Sequence, residues 1–290
     1  MPERYRRPAG RLSRGLTGML TLPEGDPVAV EVVNAVRRGD LKTLAWLLSD
    51  HPGLASVRLA ADAGDLGDGG VTRTLLHVAT QWPGHFPNGA AVITALVAAG
   101  AQVDARFTGP HTETALHRAA SSDDVAALDA LLDAGAGIEA DGAVVGGTAI
   151  SDAVAYGQWN AARRLIERGA RTTFPEAAAL GLHDRVQAYL TAVPPPDTQA
   201  ITVAFWGACH GDQQYIAEQL LELGADLNWV GRDQLTPLDE AIRGHANRLT
   251  GWLRGKGACT AAALSGRDDG ESGQPEPDTP EWPEWPEWPE

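Results

Sequence analysis

Cysteine, lysine and long apolar runs are all scarce in this chain. Its 290 residues include two cysteines, Cys209 and Cys259. That is too few for a disulfide framework and points to a reducing, cytoplasmic compartment. No stretch approaches the roughly 18 apolar residues that a membrane-spanning helix needs. The sequence contains no C-x-x-C, H-E-x-x-H, G-x-S-x-G, phosphate-loop or dinucleotide-binding pattern, and so no local signature for zinc, a serine nucleophile or a nucleotide. Only Lys42 and Lys256 among the 23 basic residues are lysine. With abundant alanine, glycine and proline, this suggests a GC-rich bacterial genome and says nothing about function.

Acidic charge is plentiful: 38 carboxylates give a formal net charge of −15. Its placement divides the chain. Residues 1–20 carry Arg4, Arg6, Arg7, Arg11 and Arg14 against Glu3, while residues 268–290 carry acidic residues and no basic one. A flexible basic arm is expected over 1–26, an acidic body over 27–262 and a disordered acidic tail over 263–290. A chain of this charge is a poor binder of phosphate backbones, so nucleic acid is not an expected partner. At 43% apolar residues, the body can bury a core. The tail repeats Glu-Trp-Pro from Glu281 to Pro289. Proline at every third position favours polyproline II, which would align Trp282, Trp285 and Trp288 on one face about 9 Å apart. Like charge should hold this tail away from the body and leave it open to a partner in trans.

The body repeats itself. Thr74-Leu75-Leu76-His77-Val78-Ala79 and Thr114-Ala115-Leu116-His117-Arg118-Ala119 are near copies, with weaker ones beginning at Thr148, Thr172, Thr202 and Thr236. A Gly-Ala pair follows each strong start, as at Gly100, Gly135, Gly169, Gly224 and Gly257. One repeat reads as a threonine turn, a short alanine-rich helix, a break such as Tyr156-Gly157 or His210-Gly211, and a leucine-patterned second helix. Glycine then suits a left-handed cap. A single copy cannot bury its own apolar face, so stacking must supply the core.

These landmarks resemble the ankyrin repeat. Thr236-Pro237-Leu238 and Leu220-Leu221-Glu222-Leu223-Gly224-Ala225-Asp226-Leu227-Asn228 match its pattern closely. A degenerate first copy lies at Val30–His51, which makes about seven repeats. The resemblance implies an all-α solenoid of stacked helix–turn–helix units joined by short β-hairpins. It also implies a monomeric protein-binding module that uses no cofactor and no catalysis. Partners of such arrays lie in the groove between hairpin tips and first helices. Counted from each threonine, the groove-facing candidates are Gln81, Trp82, Ser121, Ser122, Tyr156, His210 and Arg243. Arg37 and Arg38 are the counterparts in the first repeat, and Phe107, Trp229 and Arg232 are expected at hairpin tips.

Departures from the pattern are informative. Thr172 comes only three positions after Gly169, so a finger is expected to be missing there. A Gly- and Asp-rich loop should span Asp62–Gly70. Five extra residues enlarge the loop around Trp82–Asn88, where two prolines exclude helix; it is either a packed plug or a recognition element. His77 and His117 hold the motif position, where imidazoles tie neighbouring loops. The rival reading is a hydrolase or small-molecule sensor. Its pocket would lie between the 82–88 loop and the first helices of repeats 2 and 3, lined by His85, His111 and Asp123.

Overall fold

A computed structural model of the chain describes residues 13–14, 20–60 and 70–266. Most of the basic arm, nearly all of the Asp62–Gly70 loop and the Glu-Trp-Pro tail lie outside the described residues. The chain divides into two compact bodies, Met1–Thr172 and Thr173–Glu290.

The first body contains helix pairs α1 (Pro27–Arg38) and α2 (Leu41–Asp50), α3 (Leu75–Ala79) and α4 (Gly89–Ala98), α5 (Ala115–Ser121) and α6 (Val125–Asp133), and α7 (Ala149–Ala155) and α8 (Trp159–Glu167). A small sheet adds β1 (Ser13–Arg14), β2 (Leu20–Pro23), β3 (Arg58–Ala60) and β4 (Thr72–Thr74) in that order. β2 runs parallel to β3, and β3 antiparallel to β4. The flexible-arm expectation therefore fails from Leu20 onward. Leu22 and Leu59 are paired across β2 and β3 and both are buried, so this part of the arm is held by apolar contact and ladder hydrogen bonds. Asp26 then caps α1, accepting from the Val28 N–H at 2.8 Å.

The second body contains α9 (Phe174–Ala179) and α10 (His183–Leu190), α11 (Thr198–His210) and α12 (Gln214–Glu222), and α13 (Pro237–Arg243) and α14 (Asn247–Gly255). A four-residue helix, α15 (Ala261–Leu264), follows. Thr260 caps α15 just as a threonine opens other first helices.

The threonine landmark acts as a helix N-cap. Thr74, Thr114, Thr148, Thr173 and Thr236 have extended backbones and form capping boxes with His77, His117, Ser151, Glu176 and Asp239. Each box satisfies two of the N–H groups that a helix start leaves unpaired. Two expected starts shift. The fifth repeat opens at Thr173 rather than Thr172, because only Thr173 has an acidic partner three residues on. The sixth opens at Asp197, which accepts from the Ala200 N–H at 2.8 Å. Thr202 lies buried inside α11, its hydroxyl accepting from the Asp226 N–H at 3.0 Å.

Second helices end as expected. Gly100, Gly135, Gly169, Gly224 and Gly257 all have φ between 89° and 100°. Between paired helices the left-handed residue varies: Gly39, Asn88, Asp123, Gly157, Gly181, Asp212 and His245. In the sixth repeat, Gly211 has φ −88° and is not the left-handed residue. It serves close approach, since a Cβ there would meet the Ala179 carbonyl oxygen at 1.9 Å. Gly207, one turn earlier, faces the Pro175 carbonyl in the same way. α11 therefore packs backbone-to-backbone on α9.

The core is the stripe that the sequence pattern marked. Leu76, Leu116, Ile150 and Phe205 from first helices and Leu47, Leu96, Leu131, Leu165 and Leu220 from second helices are all buried within their own bodies. Alanines such as Ala119, Ala153, Ala178 and Ala208 fill the tighter first-helix contacts.

Candidate protein-binding face

The C-terminal ends of the first helices, with the turns that follow them, present the candidate residues in two clusters, one in each body.

In the first body the cluster is built from three successive repeats. Arg37, in the last turn of α1, and Arg73, on β4, both donate to the Gln81 side-chain oxygen, at 3.2 and 2.9 Å. Arg73 also pairs with Glu24 at 3.0 Å, and Arg118 on α5 pairs with Glu113 at 2.7 Å. Burial lowers the pKa of all three arginines from the ordinary value, opposed by Glu24 at Arg37 and Arg73 and by Glu113 at Arg118. Arg38 is exposed.

The Trp82–Asn88 loop is clamped on both sides. The His85 N–H donates to Asp124 at 2.7 Å, and its ring Nε2 faces the Ser122 carbonyl at 3.1 Å. The Asn88 amide donates to the Gly39 carbonyl at 3.0 Å. The loop thus ties the first repeat to the third as a packed element. Trp82 nevertheless stays 55% exposed beside Gln81.

This packing corrects four expectations. Gln81, Ser121 and Ser122 are buried rather than groove-lining, with Gly84 and His85 of the loop lying over Ser122. Phe107 is not an exposed hairpin tip. It is 2% exposed, its ring 6.1 Å from that of His77, with the Arg118 guanidinium 4.8 Å over its face. A backbone hydrogen bond from Phe107 to the Glu113 carbonyl folds the connection inward, and an aromatic ring gains most by following it into the core.

The two motif histidines are structural. His77 Nδ1 accepts from the Thr74 N–H, and its Nε2 faces the Glu113 carbonyl at 3.1 Å. Burial, with Arg118 nearby, depresses its pKa to about 3; His117 falls to about 4, also chiefly through burial. The rival pocket does not assemble from its named residues. Both carboxylate oxygens of Asp123 are taken by α8, through the Ala161 N–H and the Asn160 amide, each at 2.7 Å. His85 is held by the loop contacts, and His111 is half-buried. Among the described residues, no group of three or more His, Cys, Asp or Glu is placed to hold a metal ion.

In the second body, His210 and Arg243 meet on one buried carboxylate. His210 Nδ1 lies 2.8 Å from Glu240, and Arg243 contacts both Glu240 oxygens at 2.8 Å. Trp206 stacks on His210 with ring centroids 5.7 Å apart and donates to the Leu235 carbonyl at 3.0 Å. Trp229 is half-buried over Gly231, next to Trp206; Arg232 is exposed. Cys209 is buried, which pushes its thiol pKa well up, with Glu240 adding to the effect. Tyr156, the residue that closes α7, is half-buried in the first body.

Position counting missed Arg73, Arg118, Trp206 and Glu240. Trp206 is one helical turn before His210 and becomes visible once α11 is started at Asp197. Arg73 immediately precedes a threonine cap, where strand pairing turns it toward Gln81.

No family model matches the chain. A 184-residue stretch is 31% identical to the Ankyrin repeat and KH domain-containing protein CBG24701 of Caenorhabditis briggsae. The repeats are ankyrin repeats. That stretch is 60% of this chain and 7% of the curated relative it matches. The human ASB11 ankyrin repeat domain is also similar, at 21% identity over 81% of this chain and 85% of its own, with a TM-score of 0.42. No described helix of the ankyrin array is long and apolar enough to cross a membrane.

Proposed function

We propose that this ankyrin array is a protein-binding module or adaptor. It takes its partner in the groove on the first-helix face, as a monomer, in a reducing cytoplasmic setting and without catalysis. The observation that carries this reading is the gathering of solvent-reaching Trp and Arg at first-helix ends and repeat connections: Trp82 follows Gln81, to which Arg37 donates, and Arg243 shares Glu240 with His210, on which Trp206 stacks next to Trp229. These residue types dominate the energetics of protein interfaces. The groups with chemical potential are engaged in structure, His77 and His85 by loop contacts, Asp123 by α8 and Cys209 by burial.

Capture of host proteins on the immobilised full chain tests the reading. Trp82→Ser combined with Arg243→Ser should lose the captured partner. Tyr215→Ser, on a second helix and 68% exposed, should keep it. Loss only with Tyr215→Ser would move the binding face to the second helices and refute the proposal.

A further inference from the structure

Two arginines on the repeat connections of the first body have only neutral partners. Arg58, half-buried on β3, donates from Nε to the Thr72 hydroxyl at 2.7 Å. Its Nη2 donates to the Thr72 carbonyl at 3.1 Å, the Arg106 carbonyl at 2.7 Å and the Thr108 hydroxyl at 2.9 Å. Arg106 is exposed and donates from Nη1 alone, to the Thr112 and Asp141 carbonyls. Among the described residues, neither guanidinium lies in an ion pair, and Arg58 Nη1 and the Nε–Nη2 edge of Arg106 have no hydrogen-bond acceptor. Burial lowers the Arg58 pKa with no carboxylate opposing it, unlike Arg37, Arg73 and Arg118. Asp104, close to Arg106 in sequence, accepts instead from the Gly137 N–H at 2.9 Å. A guanidinium held by neutral oxygens keeps its full charge, so this spot is positive on a strongly acidic chain. It is also rigid. Thr72 and Thr108 exchange two backbone hydrogen bonds at 2.9 Å, and each arginine is tied to the backbone of a neighbouring connection, so little freedom is lost on binding.

We propose that Arg58 and Arg106 form a docking site for an acidic segment of a partner protein. One carboxylate takes the Nε–Nη2 edge of Arg106, and the Nη1 of Arg58 draws a second acidic side chain. That edge of a guanidinium matches the two oxygens of a carboxylate, which makes it a directional receptor rather than a diffuse charge. This inference rests on the protein-binding reading above and names the chemistry selected on the connection side of the groove. A peptide is favoured over a nucleic acid because the positive charge is confined to two side chains. A phosphodiester chain running on from them would meet an acidic body, whereas a peptide needs only one or two local carboxylates.

The probe is a fluorescently labelled peptide, Ser-Glu-Glu-Asp-Glu-Glu-Ser. Its host is the full chain with the nine acidic side chains of residues 268–290 changed to their amides, so that the chain's own acidic end does not compete. Fluorescence anisotropy should show saturable binding at least tenfold tighter than that of the same peptide with Gln and Asn in place of Glu and Asp. Arg106→Gln should weaken it tenfold or more. Arg106→Lys keeps the charge but loses the two-pronged edge, and should weaken it at least fivefold. Thr108→Glu sets a carboxylate beside Arg58 without removing either arginine. It should weaken binding tenfold or more while leaving the thermal melt as high as that of the parent. Arg163→Gln, which removes an exposed arginine from α8, should leave binding unchanged. Equal binding of the amide peptide, full binding by any of the three site variants, or an equal loss with Arg163→Gln would overturn the proposal. So would displacement of the peptide by single-stranded RNA at matched charge, which would show non-selective anion binding. If these assays fail while Trp82→Ser with Arg243→Ser still loses the captured host protein, the acidic-segment assignment falls and the binding face stands.

Discussion

Mild acid should destabilise this protein through its two motif histidines. In the folded state His77 titrates near 3 and His117 near 4, against about 6.5 for an unperturbed imidazole. The physical cause is burial. It is reinforced at His77 by the charges of Arg118, Arg58 and Arg73, and at His117 by Arg106 but opposed by Glu113. Geometry agrees. His77 Nδ1 accepts from the Thr74 N–H, so a proton there would set donor against donor and open the capping box. Between pH 6.5 and the folded values, the unfolded chain binds protons that the folded chain refuses, so stability rises with pH throughout that window. At about 1.4 kcal/mol per pH unit for each histidine, bringing the pH from 7.5 to 5 should remove about 2 kcal/mol each, or about 4 kcal/mol together. That is a large share of a typical domain's stability. The carboxylates Asp40 and Asp129 do not confuse the window. The Thr43 hydrogen bonds hold Asp40, and those of Arg164 hold Asp129, below the ordinary carboxylate range, so their contributions fade only in stronger acid. Urea unfolding followed by circular dichroism at pH 7.5, 6 and 5 measures the slope. His77→Gln and His117→Gln should each flatten it by about half, and the double variant should be nearly flat over this range. An equally steep acid loss in the double variant would refute the assignment.

Other perturbations follow from packing. Leu116→Ala removes a buried side chain from α5 and should cost about 2–5 kcal/mol, read as a lower thermal midpoint; an unchanged melt would mean that the helix register is wrong. Gly211→Ala drives a Cβ into the Ala179 carbonyl and should destabilise by about 1–3 kcal/mol or more. Gly251→Ala, inside α14 with open space around it, should stabilise by about 0.5–1 kcal/mol, and melts that move in the same direction for both would contradict the packing. With a thiol reagent at neutral pH, Cys259 should react in the native protein and Cys209 only after unfolding; mass spectrometry of the labelled peptides distinguishes the two.

Much of the fold was legible because ankyrin stacking uses local rules. Threonine followed three residues later by His, Ser, Glu or Asp is a capping box wherever it occurs, and glycine after a leucine-patterned helix is a left-handed cap. The errors came where two local signals competed. Thr172 and Thr173 are adjacent, and Glu176 chose between them. Thr202 copied the landmark, but three prolines followed by Asp197 start the helix earlier and leave Thr202 inside it. Gly211 resembled a turn glycine, yet its requirement is the nearness of Ala179, which no stretch of sequence displays.

The candidate site divides along the same line. The sequence by itself determined that Arg37, Trp82, His210, Trp229 and Arg243 lie at repeat ends or connections, because helical period and repeat spacing assign a residue's position along its own unit. Only the tertiary structure decided which of them meet and which are covered. Ser121 and Ser122 disappear beneath a loop from the preceding repeat, Phe107 turns inward under Arg118, and Arg73 crosses from a strand to share Gln81 with Arg37. The loop cover over Ser122 and the Arg37–Gln81 bond are made by residues 37 and 44 positions apart, and a repeat pattern read one unit at a time does not contain those neighbours.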